Sequence, residues 1–324
     1  MSSVARNHHW IPQCYLKGFA KDRSKAAPLH VVDAVAQRQF ATVPRNVAAA
    51  RDFNRIDVEG FCPNHVEASL AKFEGAVDKA LERICAARAI RDPGDFNLLL
   101  NLMALLAVRN PGMRESRRWT EEQSTKAFVS RALGSEQEFD AVLAAAVRAG
   151  ALSAEDQLTY REMRDFVDHD RYTIEVPTTQ HVEHELELVD TVLPLLGRRR
   201  WLILRANADA GSFITSDHPV ILQWIDRPKD DRFAPPGFGL RNTEVIFPIS
   251  QGLAMIGTFD ESGGTIDADQ RQIELINGVI IAHGRRQIYA RDDQFRYVGR
   301  DGRVRLGADA LHDLPRPAPS RTES

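Results

Sequence analysis

The sequence opens on a dense group of side chains that could do chemistry, because residues 7–19 read NHHWIPQCYLKGF. His8 and His9 are adjacent, and imidazole suits proton transfer and metal binding since its unperturbed pKa is about 6.5. On an extended strand neighbouring side chains point to opposite faces, so both could face one site only in a turn or at a helix start. The competing interpretation is ordinary packing, with one histidine beneath Trp10 and the other hydrated. Pro12 favours a short helix that would carry Tyr15.

A second group follows an apolar run, because residues 212–220 read SFITSDHPV. The run predicts a strand that ends in two hydroxyls, a carboxylate and an imidazole, at a position where side chains converge on a cleft. The alternative is an Asx-type turn, in which Asp217 bonds the backbone on the way into Pro219. Both interpretations remain open at this point.

The remaining candidates are weaker. His181 and His184 have the spacing of neighbours on a helix and could hold zinc, but flanking glutamates indicate a hydrated helix face and the zinc-protease signature is absent. Arg198–Arg200 and Arg285–Arg286 could neutralise phosphates, although charge clusters also simply hydrate element ends. The sequence contains no Walker loop, glycine-rich dinucleotide fingerprint or Gly-x-Ser-x-Gly elbow.

The elements that must position these groups differ along the chain. Residues 29–33 and 39–43 predict two short strands. From Val66 to Ile84, apolar residues recur every three or four positions and predict an amphipathic helix, with Asn64 and Glu67 at the spacing of a capping box. A helix starting near Asp95 is apolar almost all round, so we expect it to be the central buried one.

The last third has the composition of strands. Further helices, one of them starting at Thr178 or Thr179 and ending at Gly197, precede it. A helix is predicted at 271–282. The predicted strands are short apolar or β-branched runs at 201–204, 212–215, 220–224, 244–247, 253–257 and 287–290.

The sequence therefore predicts an α+β fold, with a mainly helical middle and a mixed or antiparallel sheet built from the C-terminal third and N-terminal strands. We divide the chain into an N-terminal motif with strands joining that sheet (1–60), a helical region (61–198), a β-rich region (199–312) and a mobile tail (313–324).

Composition adds few constraints. The 324 residues carry a formal charge of −3, with 43% hydrophobic and 27% charged residues, which is ordinary for a globular protein. A chain that coats duplex DNA by charge alone is usually strongly basic, so any contact with nucleic acid would be local. Three unpaired cysteines and the lack of an apolar run of about 20 residues predict a cytoplasmic protein without a membrane partner. The oligomeric state is not indicated.

Several ordered motifs together resemble a widespread microbial family known only as a domain of unknown function. The resemblance spans His8 to Tyr289, is looser in the helical middle, and implies positions of interest but no chemistry. The motifs that carry it are His8-His9-x-x-Pro12-x-x-Tyr15-Leu16, Arg45-Asn46-Val47-Ala48, Phe213-Ile214-Thr215-Ser216-Asp217-x-Pro219-Val220, Phe247-Pro248-Ile249-Ser250 and Asn277.

Our hypothesis from the sequence is a metal-dependent hydrolase of phosphate esters, of which a nuclease is one form. His8, His9 and Asp217 would be catalytic, and His9 and Asp217 would bind a divalent ion (Mg, Mn or Zn) that activates water and neutralises phosphate charge. His-His-x-x-Pro also opens some small ββα metal nucleases. The residues expected to bind the substrate, a nucleic acid or nucleotide, are Arg45, Asn46, Asn277 and Tyr15.

Two alternatives remain open. One keeps the enzyme without the metal, with His8 or His9 as general base and Tyr15 or Asp217 as its partner. The other is a non-catalytic module that binds a ligand or nucleotide. Metal content would distinguish the metal-dependent hydrolase from the metal-free enzyme. Product formation would distinguish both enzymes from the binding module.

Overall fold

A computed structural model of the protein describes residues 6–153, 159–169, 172, 174–207, 209–226 and 235–315. Its helices are α1 (Gln13–Leu16), α2 (His65–Ala87), α3 (Pro93–Val108), α4 (Pro111–Ala132), α5 (Glu136–Arg148), α6 (Tyr160–Asp168), α7 (Thr178–Gly197), α8 (Gln270–His283) and α9 (Ala310–Asp313). Short 3₁₀ turns occupy Lys17–Phe19, Pro44–Asn46 and Gly307–Asp309.

The strands of the described residues form an α+β arrangement with these helices. They are β1 (Asn7–His9), β2 (Leu29–Asp33), β3 (Arg38–Thr42), β4 (Ala49–Arg51), β5 (Arg200–Ala206), β6 (Thr215–Ser216), β7 (Ile221–Trp224), β8 (Thr243–Ser250), β9 (Leu253–Thr258), β10 (Gly264–Ala268), β11 (Gln287–Ala290), β12 (Arg296–Val298) and β13 (Val304–Leu306).

The strands pair into two larger and two smaller sheets. One sheet has the order β10-β5-β9-β8-β7, antiparallel except for the parallel pair of β10 and β5. A second has the order β3-β2-β11-β6 and is antiparallel throughout. N-terminal β2 and β3 thus join C-terminal β11 and β6, which confirms the predicted α+β fold. The pairs β1-β4 and β12-β13 stand as separate two-stranded sheets.

The helix expected at the centre of the core is confirmed. Asp92 caps α3, because its side chain accepts hydrogen bonds from the N–H groups of Gly94 and Asp95, and Pro93 occupies the first turn. Leu102 and Met103 are fully buried among apolar side chains of α2, α7 and the β8-β9 pair. A second apolar cluster packs the isoleucines of α8 against β2 and β11.

The chain divides into two compact units. The first comprises residues up to 111 and from 178 onward, and the second comprises residues 112–177. Within the second unit, the ring of Phe139 contacts that of Tyr160 at 6.0 Å, and the Tyr160 hydroxyl donates to the carbonyl of Leu133 at 3.1 Å. Every residue proposed for chemistry lies in the first unit.

Some local predictions need correction. The capping box at the start of α2 is wrong, because Asn64 makes no side-chain capping bond and Glu67 bonds a side chain of a preceding loop instead. Of the predicted mobile tail (313–324), Asp313 ends α9 and Leu314 is buried, while residues 316–324 lie outside the described part. Within the described residues, none of the helices combines the length and apolar character needed to cross a bilayer.

Candidate active site around His9

The two adjacent histidines lie on a short strand that turns them to opposite sides. In the antiparallel β1-β4 pair, His8 stands opposite Ala50 and His9 opposite Ala49. His8 is completely buried, and its Nδ1 accepts a hydrogen bond from the backbone N–H of Asn54 at 2.9 Å. This bond places the proton of a neutral His8 on Nε2. His8 thus anchors the loop that follows β4.

His9 lies on the outer side and is half-buried. Its Nε2 lies 3.3 Å from the carbonyl oxygen of Arg45, and a carbonyl can only accept, so Nε2 carries the proton and Nδ1 the lone pair. Burial lowers the pKa of His9, and the nearby positive charge of Arg109 lowers it further, against the opposing effects of the Arg45 bond and the Glu67 carboxylate. His9 is therefore a neutral base at physiological pH.

Arg109 holds this stretch in place from the end of α3. Its buried guanidinium donates to the carbonyls of His9 at 3.2 Å and Trp10 at 3.4 Å, and to the Asn54 Oδ1 at 2.9 Å. A forked guanidinium fixes several acceptors at once with defined geometry. Arg109 therefore ties the histidine strand, the loop after β4 and the central helix together.

Asn54 connects three of these elements. Besides the contacts with His8 and Arg109, its Nδ2 donates to Glu67 Oε2 at 2.6 Å. The side chain is fully buried in a loop, a place where a polar group survives only with its bonds satisfied. Asn54 thus links the histidine strand to the first turn of α2.

Two carboxylates of α2 complete the group. Glu67 and Glu74 are seven residues apart and so share one face of the helix, two turns from each other. Burial raises the pKa of Glu74 to about 7, and the negative charge of Glu67 adds to the rise, against Arg109 and Lys25. Glu74 therefore titrates much closer to neutrality than an ordinary glutamate.

We call His9, Asn54, Glu67, Glu74 and Arg109 the His9 site. His9 and Glu74 are related through Glu67 and Arg109, whose charges act on both side chains. A neutral imidazole and a carboxyl group that titrates near neutrality have the protonation states that a general base and a general acid require. The sequence motif identified only His9. Glu67 was assigned to capping, and Asn54, Glu74 and Arg109 were missed, although the seven-residue spacing of the two glutamates beside an apolar stripe was a usable signal.

Asp217 bonds to a different part of the protein. Its carboxylate accepts hydrogen bonds from the backbone N–H groups of Arg285 at 3.0 Å and Arg286 at 2.8 Å, and its own N–H donates to the Gln287 carbonyl at 2.9 Å. Burial raises the pKa of Asp217 to about 6 against these bonds. Asp217 therefore holds the turn between α8 and β11, and among the described residues its hydrogen bonds go to this turn and not to the strand that carries His9.

Asn277 and Tyr15 also bond the segment before Asp217. The Asn277 amide accepts from the N–H of Ile214 at 3.1 Å and donates to the carbonyls of Ser212 at 3.0 Å and Arg296 at 2.9 Å. These bonds take backbone groups that a strand ladder would need, so the predicted strand at 212–215 shortens to Thr215–Ser216.

Tyr15 is fully buried on α1. Its hydroxyl donates to the Pro248 carbonyl at 2.7 Å and lies 2.8 Å from the Thr215 hydroxyl. Arg45 and Asn46 are exposed in the 3₁₀ turn beside His9, and Asn46 Nδ2 donates to Thr42 Oγ1 at 2.9 Å. The structure thus brings the Arg45 backbone into contact with His9, with Asn46 next to it in the same turn, and it leaves Tyr15 in another part of the core.

The donor set does not favour a metal ion shared by His9 and Asp217. Among the residues that the structure describes, no three histidine, cysteine, aspartate or glutamate side chains are placed so that they could hold a metal ion together. The predicted divalent ion therefore stays a prediction for solution measurement.

Comparison with known proteins confirms the family resemblance. The chain matches the family model described as "Protein of unknown function (DUF4238)" over residues 7–294. No curated protein and no solved structure matches it significantly. Since the match covers most of the chain, from the histidine strand to the loop before β12, the protein belongs to the DUF4238 family.

Proposed function

We propose that the protein is a hydrolase of phosphate esters that works by general acid–base catalysis, with His9 as the base and Glu74 as the acid. The observation that carries the proposal is the contact network of the buried Arg109, which donates to the His9 carbonyl and to Asn54, the partner of Glu67. Within this network the pKa of His9 is lowered and that of Glu74 is raised to about 7, in both cases chiefly by burial. Side chains with pKa values displaced in this way cluster at active sites.

In the proposed reaction, His9 Nδ1 accepts a proton from the water that attacks phosphorus. Glu74 donates its proton to the oxygen of the departing alcohol, so the P–O bond breaks without releasing an alkoxide. The nearby negative charge of Glu67 stabilises the imidazolium that forms on His9. Proton transfers of this kind each contribute about 10²–10⁴-fold in rate.

The neighbouring groups have supporting roles. Arg109 and Asn54 hold the His9 backbone and the Glu67 carboxylate in place, and both are buried, so they position catalytic groups instead of binding substrate. Arg45 is exposed, and its guanidinium can pair with a phosphate oxygen.

The metal-dependent form of this hydrolysis requires His9 and Asp217 on one ion. Because those side chains bond to different elements, the geometry favours the metal-free form. The third possibility is a module that binds a ligand or nucleotide at the His9 site without turnover. It requires no proton transfer by His9 or Glu74.

The test is hydrolysis of bis(p-nitrophenyl) phosphate and p-nitrophenyl phosphate, with and without chelator, after metal analysis of the purified protein. We expect turnover that survives the chelator, is lost in His9→Ala, and persists in His184→Ala, a control at a partly exposed histidine of α7. Because p-nitrophenolate leaves without a proton, the loss in Glu74→Gln is expected with an alkyl phosphodiester as substrate. Activity that requires a bound metal and disappears in Asp217→Asn would replace the proposal with the metal-dependent form. Ligand binding without turnover of any phosphate ester would leave only the binding module.

A further inference from the structure

The outer face of the β1-β4 pair groups a particular set of side chains. Asn7 pairs with Arg51 and His9 pairs with Ala49. Directly paired residues project from the same face of a sheet, as do residues two apart on one strand. His9 and Arg51 therefore share the outer face, while His8 points to the buried side.

Arg51 is close to His9 and open to solvent. Arg51 lies two residues beyond Ala49, the residue directly opposite His9. Side chains in this diagonal relation across an antiparallel pair are about 7–8 Å apart. Its side chain is 71% exposed, and its ion pair with Asp52 is loose, with 3.4 Å between Nε and Oδ2. The guanidinium is thus available to a second anion.

Arg45 contacts the same imidazole through its backbone. Its carbonyl accepts the His9 Nε2 proton, and its side chain is exposed. The Trp10 N–H donates to the Ala48 carbonyl at 3.0 Å, which extends the pairing of the two chains past His9. The segment from Arg45 to Arg51 therefore follows the histidine strand and puts one exposed guanidinium at each end.

We propose that the substrate of the His9 site is a nucleic-acid strand, with phosphates on either side of the cleaved bond held by Arg45 and Arg51. This inference rests on the proposed function. A small phosphomonoester offers a single anionic group, whereas a nucleic acid repeats the charge along its backbone and can occupy both guanidiniums. The small net charge of the protein agrees with such a local contact.

The test measures binding separately from turnover. A labelled 12-nucleotide single-stranded DNA and the RNA of the same sequence are titrated by fluorescence anisotropy with Glu74→Gln protein at several salt concentrations. Two phosphate contacts predict a slope of log K against log salt of about −1.4, since each contact on a single strand contributes about −0.7. Arg45→Gln and Arg51→Gln should each reduce the slope by about 0.7, and Arg303→Gln, at an 85% exposed side chain on the β12-β13 turn, should not.

The outcomes separate the two proposals. The nucleic-acid inference is overturned if the strand does not bind at 50 mM salt, or if the substitutions at Arg45 and Arg51 both leave its binding unchanged. The hydrolase proposal still stands in that case if the small diester is turned over. Strand binding with the predicted slopes but no turnover of any ester supports the anion site and overturns the hydrolase.

Discussion

The side-chain amide of Asn54 donates to the carboxylate of Glu67 at 2.6 Å, and this bond joins the loop after β4 to the first turn of α2. The same asparagine bonds His8 through its backbone and Arg109 through its Oδ1. One buried amide therefore connects the strand that carries His9 with the helix that carries both glutamates. The geometry of the His9 site depends on it.

We expect Asn54→Ala to destabilise the protein by about 3 kcal/mol in urea unfolding. The substitution removes one acceptor of the buried Arg109 guanidinium and the donor to the half-buried Glu67 carboxylate, and a polar group left unsatisfied costs about 1–3 kcal/mol, more when it is charged. The matched control is Asn46→Ala, an exposed asparagine with a bond to Thr42, which should cost less than about 1 kcal/mol. Equal losses in the free energy of unfolding at the two positions would contradict the structural role assigned to Asn54.

The rate of hydrolysis should follow a narrow bell-shaped pH profile. His9 must be deprotonated, and its lowered pKa places the acid limb below about 6.5. Glu74 must be protonated, and its pKa of about 7 sets the alkaline limb. Profiles of kcat/KM report these groups in the free enzyme. With an alkyl phosphodiester as substrate, Glu74→Gln should lose about 100-fold or more in rate and should abolish the alkaline limb of the residual activity.

The control for that profile is Glu59→Gln, an exposed carboxylate in the loop before α2. It should leave both limbs where they are. An alkaline limb that persists in Glu74→Gln would assign the proton donor to another group, and a flat profile between pH 5 and 9 would argue against acid–base catalysis by either residue.

Sequence patterns predicted the parts of this fold that depend on local periodicity. The three- and four-residue spacing of apolar residues located α2, an almost continuously apolar stretch located α3, and apolar or β-branched runs located most strands. They could not locate β10, whose charged and exposed residues are paired in parallel with β5 through a long-range crossover. The site was only partly predictable for the same reason. His9 belongs to a recognisable motif, whereas the roles of Asn54 and Arg109 arise where a loop and a helix end meet.

Asp217 makes a prediction about stability. Burial raises its pKa from 3.8 to about 6, so its contribution to folding is present below pH 4 and is lost as the pH rises through 6. A shift of this size corresponds to about 3 kcal/mol. The free energy of unfolding in urea should therefore fall between pH 4 and pH 8 in wild type. The Asp217→Asn variant should not show this fall. Asp226→Asn, at an exposed position, should behave as wild type. Parallel curves for wild type and Asp217→Asn would show that the carboxyl titrates normally.

Tyr15 was expected to bind substrate, and the structure argues instead for a role in the core. Burial raises its pKa well above the usual range, so the hydroxyl remains a donor to the Pro248 carbonyl and an acceptor from Thr215. Tyr15→Phe should lower the free energy of unfolding by about 1–3 kcal/mol, because two buried groups lose their partner, and should leave KM for the small diester unchanged. In a double-mutant cycle with Thr215→Val, the double variant should cost less than the sum of the single ones, since each substitution removes the partner of the other. A rise in KM without loss of stability would instead support the original prediction that Tyr15 binds substrate.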